Sequence, residues 1–390
     1  MRSKAIIIYY LFVSLSTFAL SLTFTNYVLF LQGNHLSFVT IGLVNAIFMF
    51  SIFLLEVPTG LVADIFSRKT SLLWGLTAHS IGAFTYYLSH NFQFFIIAEI
   101  LAALGQCFIS GALEAWVKES LEQENYQVDL TKVFIHGSIV RHVSALTGGA
   151  LGALLALNNI RSVWLYVGIL FLLSIPLFYK LLIEKQSINK RSSTNIEQRA
   201  KIIILNSWRH GIRNIEVRRL VLMSAGYLFA CQAMNMLWSV FTEQNFSSSW
   251  RGAWWVIMSL FIILGGVLAK HLNHGGRSDK QIMIVSLMVT GLSLIVATAT
   301  GNPIIIMIGF LVSEIGRGAY APANQGYLQK NIPDTERATI TSFKSMIEHG
   351  AAGLGWLLAG VLSDHLTIGT TWFIYGCLFL GTILLARRLP

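Results

Sequence analysis

Apolar runs of unusual length alternate with short polar breaks along the chain. Ala5–Leu31, Thr70–Ala98, Leu220–Thr242 and Gln281–Ser313 contain no Asp, Glu, Lys or Arg. Each matches or exceeds the roughly 20 apolar residues that a helix needs to cross a hydrocarbon layer about 30 Å thick. No period-two alternation is present, and lipid offers no hydrogen-bond partner to an open strand, so the runs predict helices. Twelve spans are expected, at 5–31, 38–63, 70–89, 92–117, 133–157, 161–183, 219–242, 250–270, 281–300, 303–328, 338–362 and 368–387. Asn302-Pro303 divides the longest run, because proline suits a turn or a first helical position rather than a helix interior.

Composition agrees and excludes a soluble protein. Of 390 residues 54% are hydrophobic and only 12% charged, against about 25% charged in soluble domains. The basic residues then test the span count. Of 28 Lys and Arg, 24 fall in the termini and alternate loops that an inside N-terminus would place in the cytoplasm, and only Arg161 and Arg251 fall in the opposite loops. Both termini are therefore expected on the cytoplasmic side of the inner membrane. Ten of the bases lie in 180–219, the only long connection. This predicts an N-terminal six-helix bundle at 1–183, a basic linker at 184–218 resting on anionic membrane lipids, and a C-terminal bundle at 219–390. The net charge of +10 then reports orientation and lipid contact, with no nucleic-acid partner, and a monomer is expected.

Cys107, Cys231 and Cys377 sit in apolar stretches and read as packing residues. The dipeptide Gly-Lys is absent, so there is no phosphate-cradling G-x-x-x-x-G-K-[S/T] loop, and no H-E-x-x-H pair occurs. No cofactor, metal or enzymatic activity is expected. Trp164, Trp250, Trp254, Trp255 and Trp372 gather at the outer ends of spans and read as an interfacial belt.

Two segments point to an internal duplication. Gly60-Leu-Val-Ala-Asp64 ends the second span and Gly266-Val-Leu-Ala-Lys270 ends the eighth, an offset of 206 residues. The stretch Gly60–Lys69 resembles the signature G-x-L-A-D-[R/K]-x-G-[R/K]-[R/K] of the major facilitator superfamily. Glu56–Thr59, Gly111–Trp116, Asn331–Asp334, Arg337–Thr339 and Gly360–Asp364 look similar to its bacterial members. The resemblance implies an all-α membrane fold of 12 transmembrane helices in two pseudo-symmetric six-helix bundles, and alternating access around a midplane site. It also implies a gating cluster of Gly60, Asp64, Arg68 and Lys69, for which Glu114 or Glu119 is the expected counter-charge. The sequence departs from the pattern at Ile65 and Ser67. Glu99 stands where helix 4 frequently carries arginine, and the antiporter pattern G-P-x-x-G-G keeps only Gly148-Gly149. Gly148-x-x-x-Gly152 suits close helix packing.

An ionisable side chain at mid-bilayer costs on the order of 2.5–3.5 kcal/mol, so each such residue is a candidate for proton coupling or solute binding. Glu56, Glu99, Arg141, Glu314, Arg317 and Glu348 lie within predicted spans. Glu314 and Arg317 share a helix face, and Arg317 could pair with either Glu314 or Glu348. Asn26, Asn45, Gln106, Gln232, Asn235, Asn324 and Gln325 are polar candidates for the cavity wall, with interhelical hydrogen bonding as the competing role. The expected function is proton-coupled export of a small organic solute, as by a drug or metabolite antiporter. Uptake of a nutrient or anion held by Arg141 and Arg317 is the alternative, and a non-transporting sensor or lipid scaffold is the third reading.

Overall fold

The computed structural model describes residues 3–183, 215–331 and 334–387, with residues 57, 64, 65, 216 and 334–339 described by backbone alone. The predicted linker therefore lies outside the described residues as far as 214. The described chain forms α1 (Lys4–Phe24), α2 (Tyr27–Gly33), α3 (Phe38–Ile65), α4 (Arg68–Leu88), α5 (Phe92–Ile109), α6 (Ala112–Gln123), α7 (Leu130–Asn158) and α8 (Ser162–Leu181). After the linker come α9 (Ile215–Asn245), α10 (Arg251–His274), α11 (Asp279–Thr298), α12 (Pro303–Asn331), α13 (Asp334–His365) and α14 (Ile368–Arg387). Every predicted span coincides with one helix or with a broken pair, α1 with α2 and α5 with α6.

Both breaks have local causes. Gly111 adopts φ +72° between α5 and α6, a left-handed conformation that glycine takes without a Cβ penalty. At the first break the buried Asn26 donates to Leu22 O and to Gly152 O of α7, at 3.3 and 2.9 Å, so its side chain engages carbonyls beside the interruption. Among the described residues ten segments are long and apolar enough to cross a membrane unaided. The two rods that fall short are α4 and α13. In α4 this follows from buried polar residues such as Ser71, His79 and Ser80, which face neighbouring helices instead of lipid.

The chain divides into two compact units. One holds residues 1–34, 54–200 and 248–252, and the other holds 35–53, 201–247 and 253–390. In the first, α1 packs on α7 and α8, and α4 packs on α5 and α8. In the second, α9 packs on α13 and α14, and α11 packs on α12 and α14. The two sets are the same scheme six spans apart, which is the internal duplication expressed as packing. Small residues set the closest approaches: a Cβ on Gly152 would stand 1.9 Å from Leu22 O across the α1–α7 contact. The first part of α3 belongs to the second unit, where the Asp364 carboxylate accepts from Phe38 N and Val39 N at 2.8 and 3.0 Å and caps the helix start.

Several tryptophans depart from the expected belt. Trp372 is fully buried and donates to Ala233 O at 3.1 Å, and Trp164 is buried among aromatic rings. Of the five tryptophans of that belt, only Trp250 is strongly exposed, at 61%. Arg161 and Arg251, expected as loop charges, are also structural. Arg161 donates to Tyr87 O and Ser89 O at 2.9 and 2.6 Å, satisfying carbonyls at the end of α4. Arg251 is 6% exposed and donates to Asn26 Oδ1 at 2.8 Å.

Candidate functional site

In the second unit, four of the candidate residues form one connected network. Gln232 and Asn235 lie on α9, and Glu314 and Arg317 lie on α12. Gln232 Nε2 donates to Leu228 O at 2.6 Å, which orients the amide so that its Oε1 accepts from Asn235 Nδ2 at 3.1 Å. Asn235 Oδ1 then accepts from Arg317 Nη2 at 2.8 Å, and Arg317 Nη1 reaches Glu314 Oε1 at 2.7 Å. The three-residue spacing puts Glu314 and Arg317 on one helix face. Glu314 is almost fully buried, and its Oε2 has no hydrogen-bond partner among the described residues. The Arg317 side chain keeps 19% exposure. Tyr227 and Tyr320 stack at 3.8 Å beside this network, with Tyr227 donating to Arg317 O.

The choice left open in the sequence is resolved by this geometry, since Arg317 pairs with Glu314. Glu348 instead meets Lys344 one turn away on α13 at 2.5 Å. Asn324, another polar candidate, donates to Ser224 Oγ at 2.8 Å and ties α12 to α9.

In the first unit the focus is Glu99, 6% exposed on α5. Its Oε1 accepts from Tyr27 on α2 at 2.6 Å and from Tyr86 on α4. Tyr86 is stacked on Trp164 of α8 with ring centres 4.0 Å apart, and Phe95 closes the other side at 5.6 Å. Three spans thus converge on one carboxylate whose recorded partners are neutral hydroxyls. Neither tyrosine is marked by the sequence, because tyrosine in a span is commonplace. Asn26 does not join this group; it serves the α1–α2 break and Arg251. Arg141 is exposed on α7, and Glu56 is half-buried on α3 one turn from Thr59.

The expected gating cluster lies at the α3–α4 turn. Ser67 caps α4 by accepting from Thr70 N at 3.0 Å. Arg68 Nε lies 3.5 Å from Glu119 Oε1 on α6. Of the two acids expected to face Arg68, it is Glu119 that meets it, while Glu114 is exposed one and a half turns earlier on the same helix. Lys69 Nζ sits 4.4 Å above the Tyr179 ring of α8, a cation–π contact. Gly60 is exposed, and a Cβ placed on it would meet nothing within 4 Å among the described residues. The Asp64 side chain lies outside the described residues.

A family model described as Major Facilitator Superfamily matches residues 6–278 and again 252–390. The chain belongs to the Major Facilitator Superfamily. A Bacillus subtilis (strain 168) protein, the uncharacterized MFS-type transporter YxaM, is 22% identical over 362 residues, which cover 91% of this chain and 87% of that protein. The nucleoside transporter NupG superposes with a TM-score of 0.79 at 15% identity, covering 99% of this chain and 98% of that one. A D-xylose-proton symporter gives 0.77 at 16% identity with the same coverage. At these identities the two structures establish the fold alone. This superfamily member is a multi-pass membrane transporter.

Proposed function

We propose that this transporter moves a small organic solute by proton coupling, with Glu99 and Glu314 as the proton-bearing groups and the Gln232–Asn235–Arg317 network as part of the solute-binding wall. The observation that carries this reading is the burial of two carboxylates in a membrane span at sites that charge balance does not explain equally. Glu314 has a cationic partner for one oxygen and none for the other. Glu99 is held by two hydroxyls. A carboxylate held inside a span is costly unless it is fully compensated, and such a group can exchange a proton when water reaches it.

The Arg317 charge is already committed to Glu314, which disfavours the uptake of an anion held by Arg317 and supports a neutral, zwitterionic or cationic solute. Export is the direction we assign, on the overall resemblance of the chain to efflux-type members of the superfamily. The test uses proteoliposomes loaded with a pH-sensitive dye and challenged with ethidium, uridine and xylose. Solute-dependent proton movement in the wild type, lost in Glu99→Gln or Glu314→Gln, is the expected result. Flux of any of the three that moves no protons overturns the coupling. Accumulation of the solute in vesicles whose protein faces as in the cell, driven by an inward proton gradient, overturns export.

A further inference from the structure

At the end of the second unit where α10 turns into α11 and α12 finishes, the surface opens into a cavity of about 260 Å³. Small residues make room for it: Gly266 and Ala269 from α10 face Ala323 and Gly326 from α12, with Pro322 interrupting the α12 hydrogen-bond ladder beside them. Lys270, His274 and Lys330 stand at its mouth, and Asp279 lines its floor.

The charges in this cavity do not cancel. Asp279, 7% exposed, is satisfied by Lys330 at 2.7 Å and by Asn273 Nδ2 at 2.8 Å. Lys270 and His274 remain exposed and without an ion-pair partner among the described residues, and the same turn adds the exposed Arg277. The surrounding wall is suited to lipid, because α10 is a candidate membrane span that exposes Leu264, Val267 and Leu268 alongside Gly266. The duplication sharpens the point: at the 206-residue offset Lys270 occupies the place that Asp64 holds in the first half. A position that is acidic in one unit has become cationic in the other. Cationic pockets between membrane helices near the headgroup level are suited to phosphate-bearing lipid.

We propose that this cavity binds the headgroup phosphate of an anionic phospholipid, with Lys270 and His274 as its charge partners, Lys330 shared with Asp279, and the glycerol end of the acyl chains lying in the groove over Gly266 and Gly326. A free phosphate ion would use the cations and leave the apolar groove empty, and that difference separates the two sources. The full-length protein, purified in a neutral detergent, is melted with added phosphatidylglycerol, phosphatidylcholine or inorganic phosphate. Phosphatidylglycerol is expected to raise the midpoint several degrees more than phosphatidylcholine. The double variant Lys270→Gln/His274→Gln is expected to lose at least half of that difference, and Gly266→Leu, which fills the groove and keeps the charges, to lose a similar share. Lys118→Gln/Lys132→Gln, which removes two exposed cations from the first unit, is expected to retain it. Each shift is read against the same variant without lipid, so changes in intrinsic stability cancel. Equal effects of the two lipids, an undiminished effect in Lys270→Gln/His274→Gln, or an equal shift with inorganic phosphate at the same concentration would each overturn the lipid site.

Discussion

Lys330 Nζ lies 2.7 Å from Asp279 Oδ2 and joins the end of α12 to the first turn of α11. In the first unit Arg68 and Glu119 join the first turn of α4 to α6 in the equivalent place, at 3.5 Å and with the charges exchanged. The duplicated unit has kept the bridge and reversed its polarity. The two are not equal in strength. An acid in the first turn of a helix is favoured by the helix dipole and a base is not, and Asp279 is buried whereas both members of the first pair are partly exposed. Lys330→Gln is therefore expected to cost about 1–3 kcal/mol by leaving the Asp279 carboxylate short of a partner. Arg68→Gln should cost no more than about 1 kcal/mol. Thermal unfolding of the two variants in the same detergent checks the order; equal losses would contradict it.

Breaking the Glu314–Arg317 pair from one side should be costlier than removing it whole. Glu314→Gln leaves the Arg317 guanidinium in a span without its carboxylate partner, and Arg317→Gln leaves a nearly buried carboxylate uncompensated. Each single change is expected to cost about 2–4 kcal/mol, toward the lower end because Arg317 retains some exposure. The double variant Glu314→Gln/Arg317→Gln should recover much of the loss in melting temperature without recovering uphill transport. A double variant as unstable as either single one would show that the network acts through packing and not charge.

The twelve spans were legible because length, apolarity and the placement of bases each constrain the same boundaries, and the packing scheme of the two units follows from their duplication. The pairing of Glu314 with Arg317 was half legible, since helical spacing allows it and only the tertiary position of Glu348 excludes the rival. Tyr27 and Tyr86 were not legible. Their relation to Glu99 depends on three separate spans converging, and nothing in the local sequence distinguishes them from other span tyrosines. Arg251 misled for a related reason: its position beside a helix start reads as a loop, yet the polar break at Asn26 supplies a buried acceptor 225 residues away. Trp164 and Trp372 were misread because a tryptophan near a span end looks the same in sequence whether it faces lipid or a neighbouring helix.

The tyrosines around Glu99 give a second way to test proton coupling without touching an acid. Tyr86→Phe keeps the ring stacked on Trp164 and removes one of the two hydroxyls donating to Oε1, and Tyr27→Phe removes the other. Each hydroxyl donates to the carboxylate, so its loss removes a partner from the group that would carry the proton. Uphill transport is expected to fall in each variant and further in Tyr27→Phe/Tyr86→Phe, with downhill exchange retained. Unchanged uphill transport in the double variant would remove Glu99 from the coupling step.

The α1–α7 contact leads to a prediction about the scaffold itself. At Gly152 a Cβ would stand 1.9 Å from Leu22 O and 2.6 Å from Leu22 C, both backbone atoms that cannot rotate away. Gly350 on α13 has nothing within 4 Å of the same position. Alanine has the higher helix propensity by about 1 kcal/mol, so replacing an unobstructed helical glycine should be neutral or stabilising. Gly350→Ala is expected to leave the melting temperature unchanged or slightly raised. Gly152→Ala should lower it by an amount corresponding to about 1–3 kcal/mol, because α1 and α7 must separate and the Asn26 hydrogen bond to Gly152 O at 2.9 Å lengthens with them. Since that same Asn26 accepts from Arg251, adding Arg251→Gln to Gly152→Ala should cost less than the sum of the two single losses. Strict additivity across the pair would mean that the helix contact and the Asn26–Arg251 bond are independent.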